Sequence, residues 1–151
     1  MLEDGVATAV ERAPGITVVR DLETLQRHRA AWQELAARAL ESNVFYEPGA
    51  LLPALDHLST SRAWRVLLIQ GRERLIGLVP LRERWLGSIG QGLVLELLQH
   101  PHSYLHTPLI DRNDADEAVE ALVAWCAKSA GPALLLATRL TLDGPVCRLF
   151  R

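Results

Sequence analysis

Several features that define other classes of protein are scarce in this chain. Two cysteines among 151 residues are too few for a disulfide framework, which favours a reducing, cytoplasmic setting. No apolar run approaches the roughly 20 residues needed to cross a bilayer, and the acidic N-terminus carries no secretory signal. Sixteen Lys and Arg against 18 Asp and Glu leave no basic excess. We therefore expect a cytoplasmic protein with no nucleic-acid partner and no membrane partner.

The composition that is present belongs to an ordinary globular domain. Apolar residues make up 49% of the chain and charged residues 23%. A chain of this length can bury about 68–70% of its unfolded surface, so one domain with a real core is expected. Residues 1–15 read as a flexible leader, and residues 16–151 as the domain.

The first third of the domain predicts one strand and two helices. A β-branched run at 16–20 is typical of a strand. Asp21 is a good N-cap for a helix over 21–40, in which apolar residues recur at helical spacing. A shorter helix is predicted over 48–58, with Pro53 delaying or kinking it.

A meander of paired strands follows. Apolar runs at 64–70, 74–81 and 92–98 predict three strands, and residues 108–110 predict a short fourth one. Gly77 indicates a bulge or a close backbone approach. Pro80 lacks a backbone donor and therefore argues for an edge strand or a strand end.

The last third predicts a helix, a strand and the start of another helix. Apolar residues repeat at helical spacing over 114–129, and the fully apolar run 133–137 is typical of a central strand. A last helix is predicted to begin near residues 143–145. This order predicts an α/β (α+β) fold: a single-layer, mostly antiparallel mixed sheet with N-terminal and C-terminal helices on its faces.

Four segments in this order give the chain a family resemblance. They are WQEL at 32–35, NVFYEP at 43–48, LIGLVPL at 75–81 and SYLHTPL at 103–109. Together they resemble the GNAT-fold N-acyltransferases, and within them the N-terminal half of the tandem, Fem-like enzymes that include the cellulose-biosynthesis-associated acetyltransferases. The resemblance covers about residues 16–150.

The resemblance implies transfer of an acyl group from acetyl-CoA or another acyl-CoA to a small amine. It also implies that this chain is one half of a longer tandem protein and shapes the acceptor side. Its partner would be a second GNAT-like domain, or a second copy of the chain. The chain by itself would then be inactive.

The acyl-CoA loop of the family is not recognisable here. GNAT enzymes hold the donor pyrophosphate on backbone amides in a loop of the form [Arg/Gln]-x-x-Gly-x-[Gly/Ala], between a strand and a helix. The segment RWLGSIG at 84–90 comes close, but Ile89 replaces the second small residue and a strand follows. A hairpin turn is the better interpretation, so no cofactor-binding residue is assigned.

Three histidines, His100, His102 and His106, lie in one loop. Pro101 interrupts them and the loop holds no carboxylate or cysteine, so no metal site is predicted. An unperturbed imidazole can accept the proton of an amine near neutral pH, which makes His102 or His106 a candidate general base. The alternative is a structural histidine.

Aromatic residues near this loop complete the candidate site. By resemblance, Tyr104 would donate a proton to the departing thiolate, and a loop aromatic with a satisfied hydroxyl is the alternative. Phe45 and Tyr46 would line the acceptor cleft, or else form a hydrophobic staple at a helix entry. We therefore take Tyr104 and His102 as candidate catalytic residues, and Phe45, Tyr46 and His106 as candidate substrate contacts.

Two further functional hypotheses remain open. The missing donor loop and an apolar strand at 133–137, if left at an edge, indicate a non-catalytic GNAT-like interaction or dimerisation module. A small-ligand binding domain unrelated to acyl transfer is the third.

Overall fold

A computed structural model describes residues 14–58, 63–85, 93–128 and 134–151. A 3-10 turn at Val44–Tyr46 and a π-helical turn at Ala54–Leu58 flank the third helix. In chain order the strands are β1 (Gly15–Val19), β2 (Trp64–Gln70), β3 (Leu75–Trp85), β4 (Leu93–Leu97), β5 (Leu109–Ile110) and β6 (Leu134–Leu136). The helices are α1 (Leu22–Arg27), α2 (Arg29–Arg38), α3 (Pro48–Pro53), α4 (Ala115–Lys128) and α5 (Pro145–Leu149).

The described strands form one sheet of six. Its order is β1-β2-β3-β4-β6, and β5 pairs with β3 beside β4. Every pairing is antiparallel except that of β4 with β6, which is parallel. The predicted fold class, a mostly antiparallel mixed sheet with helices on its faces, is confirmed.

Neighbouring residues of β2 point to opposite sides of the sheet, and apolar side chains are buried on both sides. Val66 and Leu68 pack with α1, α2 and α3, whereas Leu67 and Ile69 pack with α4 and α5. The N-terminal helices thus cover one face and the C-terminal helices cover the other. No helix in the described ranges is long and apolar enough to cross a membrane.

The predicted helix over 21–40 is two helices. Asp21 caps the first one as predicted, since its carboxylate accepts the Thr24 amide at 2.7 Å. The helix is interrupted at His28, whose amide donates to the Leu25 carbonyl three residues earlier, at 3.1 Å. This tight last turn ends α1, and α2 starts at the next residue.

Gly77 makes the close approach that the sequence predicts. It pairs with Ile69, next to an irregularity in the register between β2 and β3. A Cβ at this position would lie 2.8 Å from the Cδ1 atom of Ile69, so only glycine fits without a shift.

Pro80 was expected at an edge or a strand end, and this prediction is wrong. It lies inside β3, which runs on to Trp85. Its carbonyl accepts the Leu98 amide at 3.0 Å, so its donor-free nitrogen faces the same side of β3. On that side β4 has ended at Leu97 and β5 has not begun, so the sheet needs no donor there.

The apolar run 133–137 was predicted as a central strand, which is also wrong. β6 lies at the end of the strand order, and Leu134 and Leu136 are 59% and 38% exposed. Residue 133 is outside the described residues. A short, uniformly apolar run has the same appearance at the centre and at the edge of a sheet.

Replacing Tyr46 by phenylalanine is expected to lower the free energy of unfolding by about 1–3 kcal/mol. The hydroxyl of Tyr46 is buried and donates to the Leu98 carbonyl at 2.8 Å, so the variant leaves that buried acceptor unpaired. Urea denaturation measures the change. Tyr104→Phe is the matched control, because Tyr104 is 76% exposed and should change stability by less than about 0.5 kcal/mol. Equal losses in both variants would contradict this role.

Candidate functional site

The loop that carries the three histidines fills the gap beside Pro80. We call residues 99–108 the histidine loop. Leu98 leaves β4 while its amide is still bonded to Pro80, and the chain returns to the same side of β3 as β5. The loop is therefore held at both ends by one central strand.

A closed turn shapes the first half of the histidine loop. The Ser103 amide donates to the His100 carbonyl at 2.9 Å, and the Ser103 hydroxyl accepts the His100 amide at 3.1 Å. The same hydroxyl lies 3.0 Å from the His100 carbonyl and 3.1 Å from Nε2 of His106. Ser103 and His106 are both fully buried, so they form the interior of the loop.

The surroundings of His106 favour its neutral form. Burial lowers its pKa most, and the positive charge of Arg139 lowers it further. Its Nδ1 atom has no partner that meets hydrogen-bond geometry, although the backbone of Thr138 is near enough to favour the protonated ring. The net direction of the pKa is downward, as expected where burial dominates.

Asn43 fastens the second half of the loop to the segment before α3. Its amide nitrogen donates to the carbonyls of Leu105 and Thr107, at 3.2 and 2.8 Å. Its amide oxygen accepts the Phe45 amide at 3.0 Å. One buried side chain thus places Phe45 next to the histidine loop.

Two of the candidate residues, Phe45 and Tyr104, meet at the surface of this loop, and a third, His102, is connected to them through His100. The Phe45 ring meets the rings of Tyr104 and His100 edge-on, with centroids 6.0 and 6.3 Å away. The rings of His100 and His102 are 6.5 Å apart. Tyr104 and His102 are exposed and Phe45 is half-buried, so a ligand can reach all three.

The other two candidates lie beneath the surface. Tyr46 is fully buried, burial raises its pKa, and its hydroxyl bonds to Leu98. The ring of His106 is also fully buried. Neither side chain is accessible to a substrate. Of the five candidate residues, Phe45, His102 and Tyr104 are therefore the accessible ones, and His106 supports the loop from inside.

Sequence reasoning missed Asn43 and Arg139, which hold the histidine loop in place. Asn43 carried a usable signal, because an asparagine before an apolar turn often caps it. Arg139 carried none, since it contacts a residue 36 positions away.

No metal site is found in the part of the chain that the structure describes. There, no group of three or more His, Cys, Asp or Glu side chains is arranged to hold an ion. His100 is half-buried and His106 is fully buried. Burial is the main reason why the pKa of each histidine is lowered.

The junction between β5 and α4 is acidic, and the exposed carboxylates in the first turn of α4 disfavour a donor pyrophosphate there. The strand is followed by Asp111 and Asp114, and the first turn of α4 adds Asp116 and Glu117. Carboxylates at a helix N-terminus occupy the place that favours an anion and repel a second one. Of the segment 84–90, Arg84 and Trp85 belong to β3, and residues 86–90 lie outside the described ranges.

Asp111 instead connects three parts of the fold. It is fully buried, with Arg38 Nε at 2.8 Å and Arg74 Nε at 3.5 Å from one carboxylate oxygen. The other oxygen accepts the Asn113 amide at 2.9 Å. Burial alone would raise its pKa, but the Arg38 hydrogen bond, the Asn113 amide and both guanidinium charges lower it overall.

An apolar pocket of about 180 Å³ opens where β4 and β6 part. The two strands pair over three residues, ending at Glu96 and Leu136, and the next residues, Leu97 and Ala137, line the pocket. Other walls are Val79 and Leu122 on the buried side and Leu140 and Phe150 on the exposed side. The pocket is thus suited to hydrocarbon and not to charge.

The comparisons with known proteins give structural likenesses only. No known protein-family profile matches the chain, and no curated protein matches it. A ribosomal-protein-alanine N-acetyltransferase from Brucella melitensis biovar Abortus 2308 is similar with 19% identity and a TM-score of 0.43, covering 87% of this chain and 86% of its own. An aminoglycoside acetyltransferase from an uncultured soil metagenomic sample has 9% identity and a TM-score of 0.44, covering 87% and 80%. A probable acetyltransferase has 11% identity and a TM-score of 0.45, covering 90% and 85%.

Proposed function

We propose that this chain is a GNAT-like acyltransferase domain that supplies the acceptor side for transfer of an acyl group from an acyl-CoA to an amine. The observation that carries the proposal is the surface of the histidine loop. There, Tyr104 is in ring contact with Phe45, and His102 is in ring contact with His100, which also meets Phe45. His102 and Tyr104 are exposed side chains able to move protons, and the interior of the loop is buried and hydrogen-bonded. Rigid support of exposed polar groups is the usual construction of a reactive site.

Each of the three residues has a distinct role in this proposal. The amine nitrogen bonds to the carbonyl carbon of the acyl thioester while the carbon–sulfur bond breaks, and the nitrogen loses a proton that the His102 imidazole accepts. The Tyr104 hydroxyl donates a proton to the leaving group. Phe45 packs against the apolar part of the amine, and His106 with Ser103 holds the loop from inside.

The donor is proposed to be held mainly by a second GNAT-like domain, with residues 16–151 as the N-terminal half of the pair. The acidic first turn of α4 supports this division, because its exposed carboxylates disfavour a pyrophosphate. The free cysteines, Cys126 and Cys147, agree with the cytoplasmic setting that we propose.

A transfer assay tests the catalytic proposal. The protein, expressed at the full length that its gene encodes, is supplied with acetyl-CoA and a panel of primary amines that includes benzylamine and ethanolamine, and thiol release is followed. We expect His102→Ala and Tyr104→Phe to lower the rate about 100-fold, the contribution of a positioned acid or base. Both side chains are exposed, so the fold is expected to persist.

His57→Ala is the matched control, since His57 is an exposed histidine outside the loop. Wild-type rates in the His102 and Tyr104 variants, or no amine accepted by the wild type, would refute the catalytic proposal. Calorimetric titration of the 151-residue chain with acetyl-CoA is expected to show no micromolar binding. Micromolar binding would place the donor site in this chain.

A second candidate function, a non-catalytic interaction or dimerisation module, is favoured by one observation. Leu134 and Leu136 of β6 are exposed at the end of the described sheet, and an apolar edge strand is a template for another chain. Analytical ultracentrifugation distinguishes the two. A concentration-dependent dimer that Leu134→Lys abolishes supports the module, and a monomer at all concentrations argues against self-association.

A further inference from the structure

Arg139 adopts a backbone conformation that arginine rarely takes. Its φ is 56°, the only positive value at a non-glycine residue in the described part of the chain. For an L-residue with a side chain, this left-handed region is disfavoured because Cβ crowds the following carbonyl oxygen. Glycine would occupy the position at lower cost, so the arginine side chain must contribute something that glycine cannot.

The contribution is a double contact with one turn of the histidine loop. The Arg139 carbonyl accepts the His106 amide at 3.1 Å. The Arg139 guanidinium donates from Nη1 to the Ser103 carbonyl at 3.0 Å. One residue therefore grips both ends of the four-residue stretch 103–106, and Tyr104 lies inside that stretch.

Residues next to Arg139 in the chain contact the start of the histidine loop and line the apolar pocket. Thr138 accepts a hydrogen bond from Gln99, at the start of the histidine loop, with 2.8 Å between its Oγ1 and Nε2 of Gln99. Ala137 and Leu140, which flank Thr138 and Arg139 in the chain, line the apolar pocket. The segment 137–140 is thus shared by the pocket and the histidine loop.

We propose that Arg139 is a positioning residue that fixes the 103–106 stretch and so sets the place of Tyr104. The conformational part of this proposal stands on the contacts above. Its meaning for catalysis rests on the acyl-transfer function proposed for Tyr104. A guanidinium is suited to this task because it is planar, always charged and reaches a carbonyl with several donors.

The first test is amide hydrogen exchange in Arg139→Gly. Glycine suits the positive φ and retains the residue 139 carbonyl, so of the two contacts with the stretch 103–106 this variant removes that of the guanidinium. We expect the amides of 103–106 to exchange about tenfold faster or more, the effect of losing one charge-assisted hydrogen bond, with an unchanged urea midpoint. Arg151→Gly is the matched control, since its guanidinium also donates to a carbonyl, that of Leu142, far from this loop in sequence.

Exchange that stays at the wild-type rate in Arg139→Gly would overturn the proposal. Faster exchange over the whole chain with a lowered midpoint would also overturn it, because the residue would then support the fold in general. Arg139→Lys, which retains the charge and one donor group, is expected to restore part of the protection. No restoration would show that charge and reach are not what holds the turn.

The transfer assay separates this proposal from the function itself. If the wild type transfers no acyl group, the function fails while the exchange result still decides the conformational claim. If the wild type is active, Arg139→Gly is expected to lower kcat about tenfold with little change in KM for the amine. An active variant with normal kcat and a loosened turn would refute the catalytic meaning of the contact.

Discussion

Replacing Asp111 by alanine is expected to lower the free energy of unfolding by about 2–3 kcal/mol, within the range for hydrogen bonds to a charged group. The loss is smaller than for a fully buried ion pair, because the Arg38 and Arg74 side chains are partly exposed. The carboxylate is fully buried and accepts hydrogen bonds from Arg38 and from the Asn113 amide. Its removal leaves the Arg38 and Arg74 guanidinium groups without their shared counter-charge. Urea denaturation measures the loss.

Asp116→Ala is the control, because Asp116 is an exposed carboxylate in the first turn of α4. Its loss should be under about 1 kcal/mol, the usual contribution of a charge to the helix dipole. If the two variants lose the same amount, the network around Asp111 does not connect α2, the turn before β3 and the segment after β5 in the way described here.

The stability difference between wild type and Asp111→Ala is also expected to depend on pH. The pKa of Asp111 is lowered below its ordinary value of 3.8, so the folded state favours the ionised form. The contribution is therefore complete above about pH 5, and it is lost as the pH falls through the ordinary and then the folded-state pKa. The pKa of Asp21 is lowered as well, chiefly by the Thr24 amide, but this effect is common to both proteins and cancels in the difference.

Features that depend on neighbouring residues are the ones that sequence reasoning predicted well. The cap at Asp21, the close approach at Gly77 and the start of a helix at Pro48 all follow from the chemistry of one residue and its neighbours. The meander was predictable because each strand is an apolar run that ends in a turn.

Features that depend on residues distant in the chain could not be predicted from local sequence patterns. Pro80 is tolerated in a central strand only because β4 ends and β5 starts on either side of it. The edge position of β6 is likewise set by its single parallel neighbour in the described sheet. Neither arrangement leaves a mark on the residues next to Pro80 or in the run 133–137.

The same limit explains the candidate site. His102 and His106 are four residues apart in one loop, and nothing local distinguishes them. The two side chains differ in exposure because contacts with Ser103 and the distant Arg139 hold His106 in the interior, whereas His102 is exposed. The residue type indicated proton chemistry, and only the fold shows which histidine is accessible.

Replacing Trp32 by alanine is expected to lower the free energy of unfolding by about 3–5 kcal/mol, as for other large aromatic side chains in a core. Trp32 is fully buried in the core between α2 and the sheet, and its indole nitrogen donates to the Tyr46 carbonyl at 2.8 Å. Trp32→Phe retains most of the packing and removes the hydrogen bond, so its loss should be about 1–3 kcal/mol. Thermal or urea denaturation of the three proteins gives the order.

The effect of Trp32 should extend to the histidine loop, because Tyr46 connects the two. Its carbonyl accepts from Trp32, and its hydroxyl donates to Leu98, the residue directly before the loop. The two hydrogen bonds share one residue, so the losses in Trp32→Phe and Tyr46→Phe should not add, and the coupling in a double-mutant cycle should exceed about 0.5 kcal/mol. Strict additivity would show that the two bonds act separately. The position of the loop would then depend on Asn43 and Arg139 and not on this buried chain of contacts.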